Sequence, residues 1–182
     1  MADPIRIINA RLAFPSLFEA TSFNGEGDPA FSATFLIAKD DPQAETIRAA
    51  IKQIAVDKWG AKANDILADL VRADRVALHD GDYKSRYDGY QDHYYINASN
   101  KVRPKVVDQK TNPLNQADGK PYSGCYVNAS IELWVQDNKY GKRINASLRG
   151  VQFVKDGEPF SGGGVASDDE FEALEATEDA LW

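Results

Sequence analysis

Tyrosines and basic side chains are concentrated in the middle of the chain. All eight tyrosines lie between Tyr83 and Tyr140, and five of them fall in the thirteen residues from Tyr83 to Tyr95. Lys84 and Arg86 lie among these five. Lysine and arginine attract phosphates, and an aromatic face stacks on an unpaired base for roughly 1–3 kcal/mol per base. The composition therefore predicts a surface for single-stranded nucleic acid that tolerates many base sequences.

The charge of the 182-residue chain is unevenly distributed. The net charge is -7, but residues 83–155 hold twelve basic and six acidic side chains, a net charge of +6. Residues 165–182 hold seven acidic side chains and no lysine or arginine. A basic middle favours a polyanionic partner, and an acidic terminus can imitate or repel that partner.

A four-residue pattern occurs three times and predicts which side chains of three strands face outward. The copies are Ile96-Asn97-Ala98-Ser99, Val127-Asn128-Ala129-Ser130 and Ile144-Asn145-Ala146-Ser147. Because side chains alternate between the two faces of a strand, Ile, Val and Ala are predicted inward, with Asn and Ser outward. The same alternation places Tyr95, Tyr126, Trp134, Arg143 and Arg149 outward.

The segment from Lys101 to Val106 shows a similar alternation. Val102, Pro104 and Val106 are predicted inward, and the basic residues between them are predicted outward. Together with the tyrosine cluster, this predicts one sheet surface that combines cations, aromatic rings and small amides. The residues predicted to contact nucleic acid are Tyr83, Arg86, Tyr87, Tyr90, Tyr95, Lys101, Arg103, Lys105, Tyr126, Trp134, Arg143 and Arg149.

Two strands and a helical pair are predicted before this region. Ile5 to Phe14 is predicted as a strand that ends at Pro15, and Phe31 to Ile37 as a second strand. Asp41, Pro42 and Gly60 suit the ends of a helix, in which Ile47, Ile51 and Ile54 form one buried stripe. Asn64 is predicted to cap a second helix, with Ile66, Leu67, Leu70 and Val71 facing inward.

The rest of the body is predicted to be β structure. Strands are predicted for residues 93–99, 101–107 and 125–135, and a turn at residues 137–141 returns the chain as a hairpin partner over residues 143–154. Several short strands around one helical insertion indicate a mainly β fold, either a small β-barrel or a strongly curved sheet.

The sequence contains no pattern typical of an enzyme. It has no phosphate-binding loop, no nucleophile elbow and no His-Glu-x-x-His motif. Asp80, Asp82, Asp88, Asp92 and His93 could hold a divalent metal, but Asp-Gly pairs first of all form turns. Cys125 is predicted to lie in the core. We therefore expect a non-enzymatic protein without cofactor or metal.

The acidic end is predicted to be a separate segment. Residues 1–160 are expected to form the binding domain, and residues 161–182 a glycine-rich joint and a disordered acidic tail. Apolar side chains among the acids suggest that the tail occupies the basic surface when nucleic acid is absent and docks on partner proteins otherwise. The residues predicted to bind partners are Asp168, Asp169, Glu170, Phe171, Leu181 and Trp182.

These features resemble the single-stranded DNA-binding proteins encoded by phages. The resemblance rests on residues 94–99, 122–134 and 143–160 and on the acidic tail that ends in an aromatic residue. It implies an OB-fold and a protein that coats single strands in phage DNA replication, recombination and repair. It also implies that the tail recruits replication or recombination proteins.

Some properties stay open at this level. A second hypothesis is a protein-interaction module whose acidic end mimics DNA and inhibits or modulates a host enzyme. Phosphate contacts are common to single and double strands, so affinity for double-stranded DNA stays open, as does a monomeric or dimeric state. The sequence lacks a secretory leader and a long apolar run. We therefore expect a soluble protein without membrane contact, located in the cytoplasm, which is the host's cytoplasm if a phage encodes the protein.

Overall fold

The computed structural model describes residues 3–23 and 26–160, which form a mainly β fold with two helices inserted between strands. The strands are β1 (Ile5–Phe23), β2 (Glu26–Ala38), β3 (Leu78–Asp80), β4 (His93–Asn100), β5 (Lys105–Val107), β6 (Tyr126–Asn138) and β7 (Gly141–Lys155). The helices are α1 (Gln43–Trp59) and α2 (Ala63–Arg72), and 3-10 turns occur at Gly60–Lys62, Gly81–Lys84 and Gln116–Asp118. The joint and tail, residues 161–182, lie outside the described part of the chain.

Five of the strands close into a barrel. Antiparallel pairing runs in the order β4-β2-β1-β6-β7, and β4 then meets β7 in parallel where Ser99 lies opposite Ser147. The short strands β3 and β5 add to β4 and β7 outside this circle. The closure confirms the predicted small β-barrel with a helical insertion and agrees with the implied OB-fold.

The core confirms the alternation predicted from the repeated pattern. Ile96, Val127 and Ile144 are buried, as are the alanines two positions after each. Cys125 is also fully buried, and burial raises the pKa of its thiol to about 11. From the helical side, α1 packs Ile47 against this core. No helix of the described residues is long and apolar enough to cross a bilayer.

β1 continues beyond Pro15, where the sequence predicted its end. A proline inside a strand lacks an N–H group for the ladder and is tolerated at a bulge. The register with β2 shifts between Ala13 and Ser16, and Phe14 between them has a φ of 48°. This irregularity lets the strand pass the proline and bend, so that one long strand pairs with both β2 and β6.

The predicted start and inward face of the second helix are partly wrong. A 3-10 turn precedes α2, which therefore begins at Ala63 rather than after a cap at Asn64. Ala63 and Leu70, seven residues apart on one face, are buried, whereas Val71 is 58% exposed. Val71 lies about 100° around the helix from Leu70, so packing of one side leaves it outside.

The predicted strand over residues 101–107 forms only at its end, Lys105–Val107. The side-chain oxygen of Asn100 accepts a hydrogen bond of 3.0 Å from the backbone N–H of Val102, which makes a local turn. The alternation therefore starts after the turn. Pro104 and Val106 are buried as predicted, but Val102 is exposed, contrary to the prediction.

Candidate functional site

Two short pairings along one edge of β4 leave an open groove on the barrel. β3 pairs with β4 from Tyr94 to Ile96, whereas β7 meets β4 at Ser99. Between these points the surface forms a groove of about 850 Å³, which we call the barrel groove. Its lining includes His79, Lys84, Tyr95, Asn97, Ser99, Lys101, Trp134, Gln136, Arg143, Asn145 and Ser147.

The strand registers bring polar and aromatic side chains into this groove side by side. In the β6–β7 hairpin, Trp134 lies opposite Asn145 and Gln136 opposite Arg143. The Ser99–Ser147 pairing places two of the three Asn-Ala-Ser copies against each other. The third copy lies elsewhere on β6, where the amide of Asn128 is hydrogen-bonded to Gln152.

The groove is lined by more cations than acids. Lys84, Lys101 and Arg143 contribute positive charge, and Asp74 is the one acidic side chain among its described lining residues. Asp74 is already hydrogen-bonded to His79 Nδ1 at 2.6 Å. Lys101 approaches Asp28 at 3.1 Å, but both side chains are exposed, so this ion pair offsets little of the positive charge. The groove thus attracts anions.

Tyr95 lies on the predicted face of β4 but is not exposed. It is 3% exposed because the ring of His79, on the neighbouring β3, stacks on it at 4.8 Å. Lys84 adds a cation 5.4 Å from the same ring. The expectation of a freely exposed Tyr95 ring is therefore wrong, and the alternation failed to foresee that β3 covers this position. The residue forms part of the wall below His79 and Lys84.

Trp134 provides the exposed ring that Tyr95 does not. Its side chain is 45% exposed on β6, as the alternation predicted. Trp59, by contrast, donates its indole N–H to Asp137 at 3.0 Å and packs against the core. Among the described residues, Trp134 is therefore the tryptophan that a ligand in the barrel groove would contact.

A second, smaller concavity of about 410 Å³ continues the groove, sharing Lys84, Tyr95 and Asn97 with it. We call three of its four rings, Phe14, Tyr87 and Tyr90, the aromatic patch. Phe14 is exposed at the bulge of β1 and meets Tyr87 edge-on, with ring centroids 5.4 Å apart.

Tyr90 closes the floor of the aromatic patch. Its ring centroid lies 5.4 Å from that of Tyr87, and burial raises the pKa of its hydroxyl to about 12, so the hydroxyl stays neutral.

The backbone of Phe14 has a positive φ, which is uncommon in a residue other than glycine and is often found at functional sites.

The loop that carries Lys84, Tyr87 and Tyr90 is held by Lys39, in a cluster that we call the Lys39 clasp. Lys39 Nζ lies 2.8 Å from Asp80 and 2.5 Å from Asp82, and these hydrogen bonds raise its pKa. Asp82 also accepts the backbone N–H of Asp92 at 2.7 Å. The Lys39 contact, followed by this backbone hydrogen bond, lowers the pKa of Asp82. Asp80 and Asp82, two of the acids that suggested a metal site, thus help to join the two ends of a loop, and no metal-binding cluster occurs among the described residues.

The Lys39 clasp predicts a local effect of pH and mutation. We expect Lys39→Met and Asp82→Asn to accelerate amide hydrogen exchange over residues 81–93, with β6 unchanged. Since the pKa of Asp82 is lowered, its stabilising contact is complete above about pH 3.9, the ordinary carboxyl pKa, and is lost as the pH falls through the lower folded value. Exchange corrected for intrinsic rates should therefore rise in that range. Equal rates in Asp82→Asn and the unchanged protein would contradict the clasp.

The structure brings part of the predicted surface together. Tyr95, Lys101, Trp134 and Arg143 line the barrel groove, and Tyr87 and Tyr90 belong to the aromatic patch, where Arg86 lies 4.9 Å over the Tyr87 ring. The predicted residues that lie elsewhere are Tyr83, Arg103, Lys105, Tyr126 and Arg149.

The outlying residues have other partners. Arg103 lies over Phe18, Tyr126 lies between Arg11 and Lys155, and Arg149 is paired with Glu132 at 3.2 Å. Lys105 lies on β5, and Tyr83 borders a different cavity beside the helices. The expectation of a single surface is wrong for these residues, because alternation predicts inside or outside but not the position around a curved barrel. Their contact with nucleic acid stays a prediction.

Sequence reasoning missed several groove residues. Phe14 lies in an apolar run with no local sign of exposure, and only the bulge at Pro15 turns it outward. Asn97 and Asn145 were placed outward but not assigned to a site; Thr34 donates to the Asn97 side-chain oxygen at 2.6 Å. The repeated pattern itself was the signal that could have identified both asparagines.

Comparison with known proteins gives one consistent picture. A family model described as "Enterobacter phage Enc34, ssDNA-binding protein" matches residues 4–181. The chain is 48% identical over 178 residues to "Putative protein p50" of Acyrthosiphon pisum secondary endosymbiont phage 1, covering 96% of each chain.

Solved structures show the same similarity. The single-stranded DNA-binding protein of bacteriophage Enc34, in complex with ssDNA, has a TM-score of 0.73 at 28% identity, over 87% of this chain and 89% of that one. A C-terminal truncation of it has a TM-score of 0.71 at 30% identity, over 86% and 88%. Gp2.5, a single-stranded DNA-binding protein of bacteriophage T7, has a TM-score of 0.58 at 14% identity, over 96% and 99%, which shows a shared fold.

Proposed function

Because the chain belongs to the family of single-stranded-DNA-binding proteins described for Enterobacter phage Enc34, we propose that its barrel groove and aromatic patch bind single-stranded DNA. The observation that carries the proposal is the position of Trp134, an exposed ring in a groove with Lys84, Lys101 and Arg143. Rings and cations within one groove supply both interactions that an unpaired strand offers.

Different side-chain types in the groove bind different parts of the DNA strand. Lys84, Lys101 and Arg143 contact phosphates, while bases stack on Trp134 and, further along, on the exposed Phe14. The amides and hydroxyls of the Asn-Ala-Ser pairs donate to base edges without demanding one base, since every base offers acceptors. Affinity for many sequences follows, because every base also has a π face. This function needs no bond-making chemistry.

The outlying cations act at longer range in this proposal. Exposed Arg103 and Lys105 raise the positive potential around the barrel, and this potential accelerates the encounter with a polyanion. Arg149 contributes less, because Glu132 offsets its charge.

Two arginines on β7 provide a matched test of the groove. For single strands, each phosphate contact steepens the slope of log K against log salt concentration by about 0.7. We expect Arg143→Gln to make this slope about 0.7 less steep in oligo-dT titrations followed by tryptophan fluorescence. Arg149→Gln should change it by less, because this arginine is already paired. Equal effects of the two variants would place the strand outside the barrel groove, and no salt-dependent binding by the unchanged protein would overturn the proposed function.

In the cell, the proposed role is to coat single strands during phage DNA replication, recombination or repair. The acidic tail competes for the groove and recruits partner proteins. The competition is supported by the seven acids of residues 165–182 and by the net positive charge of the groove.

Deleting residues 165–182 should tighten oligo-dT binding most at low salt. Unchanged affinity would contradict competition by the tail.

A further inference from the structure

A second groove, beside the helices, has a more apolar lining than the barrel groove. It is a cavity of about 790 Å³ between α1, α2 and β3, which we call the helix groove. Its apolar lining includes Ile51, Leu67, Val71 and Leu78. Val71 projects into solvent here, and Tyr83 at the margin is also exposed. The exposed Val71 and the half-buried Leu67 and Leu78 leave apolar surface open in the cavity, which is typical of a binding surface.

Cations border the apolar floor of the helix groove. Arg48 and Lys52 lie on successive turns of α1, and Arg72 lies at the end of α2. Arg48 is paired with Glu45 and Arg72 with Asp69, but these exposed pairs within one helix offset little of the positive charge. Two acids also border the groove, but each is occupied: Asp74 by His79 and Asp80 by Lys39 at 2.8 Å. The surface therefore suits a segment that carries apolar side chains beside acids.

The acidic tail of this chain has that composition. It places Glu178 and Asp179 next to Leu181 and Trp182. The barrel groove offers a tryptophan the ring of Trp134 among amides and hydroxyls, whereas the helix groove offers a floor of aliphatic side chains. Burial of apolar surface favours the helix groove for the last two residues, and the acids before them match either set of cations.

The geometry lets one tail reach both grooves. The described chain ends at Phe160, which packs, like Tyr87 of the aromatic patch, against the buried cluster of Ala13, Leu36, Tyr90 and Tyr95. The barrel groove continues from this patch and shares His79 and Val76 with the helix groove. The 22 residues that follow Phe160 span up to about 75 Å when extended, more than the roughly 40 Å diameter of a domain of this size.

We propose that the helix groove holds Leu181 and Trp182 of the same chain, while the acidic residues before them lie across the barrel groove. The apolar end provides an anchor, and the acids then cover Lys84, Lys101 and Arg143. A tail anchored in this way has a high effective concentration at the groove and needs no tight contact of its own with the cations. Only its effect on DNA rests on the proposed function; the anchor itself does not.

A spin label on the full-length chain tests the anchor directly. Cys125 is fully buried with a raised thiol pKa, so Ala180→Cys supplies the thiol that reacts. We expect the label to broaden the methyl NMR signals of Leu67 and Val71 more strongly than that of Ala146 in the barrel groove. Broadening of Ala146 alone, or of no methyl, would overturn the proposal. Broadening of isotope-labelled chains by spin-labelled ones in a mixture would also overturn it, since it would place the anchor on a second copy.

Two exposed valines give a matched pair of variants. Val71→Asp puts a charge into the helix groove and should abolish the broadening at Leu67, whereas Val102→Asp, at an exposed position outside both grooves, should preserve it. If both variants preserve the broadening, the anchor lies elsewhere.

The same variants connect the anchor to DNA. If the tail covers the groove in nine of ten molecules, its release raises the apparent affinity about tenfold. Val71→Asp and Trp182→Ala should then tighten oligo-dT binding by the same factor, and the double variant by no more. Additive effects would contradict a shared anchor. If oligo-dT does not bind at all, the proposed function fails, but the NMR result still decides on the anchor.

Discussion

Replacing Trp134 by alanine is expected to weaken oligo-dT binding by roughly five- to 150-fold, which corresponds to the loss of about 1–3 kcal/mol of stacking free energy. Trp134 is 45% exposed at the edge of the barrel groove, so its ring is available to a base. The free energy of unfolding should change by much less than for a core residue, because the core on β6 consists of the alternate residues such as Leu133.

Tyr140 provides the control for this experiment. It is 72% exposed at the turn between β6 and β7 and lies outside the barrel groove. Tyr140→Ala removes an exposed ring of the same hairpin and should leave oligo-dT affinity unchanged. Titration of both variants at one salt concentration, with urea unfolding of each, separates binding from stability. Equal losses of affinity would show that the strand does not follow the barrel groove.

Gly81→Ala is expected to displace the loop that carries Lys84, Tyr87 and Tyr90. A Cβ atom at this position would lie 2.2 Å from the carbonyl oxygen of Tyr90 and 2.5 Å from that of His93. Both are backbone atoms, so the loop has to move. We expect the free energy of unfolding to fall by about 1–3 kcal/mol, as for other overpacked sites, and oligo-dT affinity to fall as well.

Gly119 is the matched control, because a Cβ there would meet no atom within 4 Å. Its φ of +70° still disfavours alanine, so a modest loss of stability is expected, without any loss of DNA affinity. Urea unfolding and oligo-dT titration of both variants check this. If Gly81→Ala keeps full affinity, the loop does not take part in binding.

The buried side of three strands could be predicted from the sequence. Alternation along the repeated Asn-Ala-Ser pattern correctly predicted the buried side of three strands, because the side-chain period of a strand is two wherever the strand lies. The sequence prediction failed after Asn100, where a side-chain hydrogen bond makes a turn. It also failed at Pro15, where a bulge lets the strand continue past a proline. Such local events depend on single contacts that the period does not contain.

The sequence by itself determined the composition of the site, with its tyrosines and basic side chains, the placement of Trp134 outside the barrel, and the acidic character of the chain's end. The tertiary structure alone decided which of these residues meet. It joined Trp134 and Arg143 to Lys84 in one groove, covered Tyr95 with His79, and separated Tyr126 and Arg103 from the rest. The physical reason is that alternation is local, whereas position around a barrel follows from strand order and closure, which depend on pairings between residues far apart in the chain.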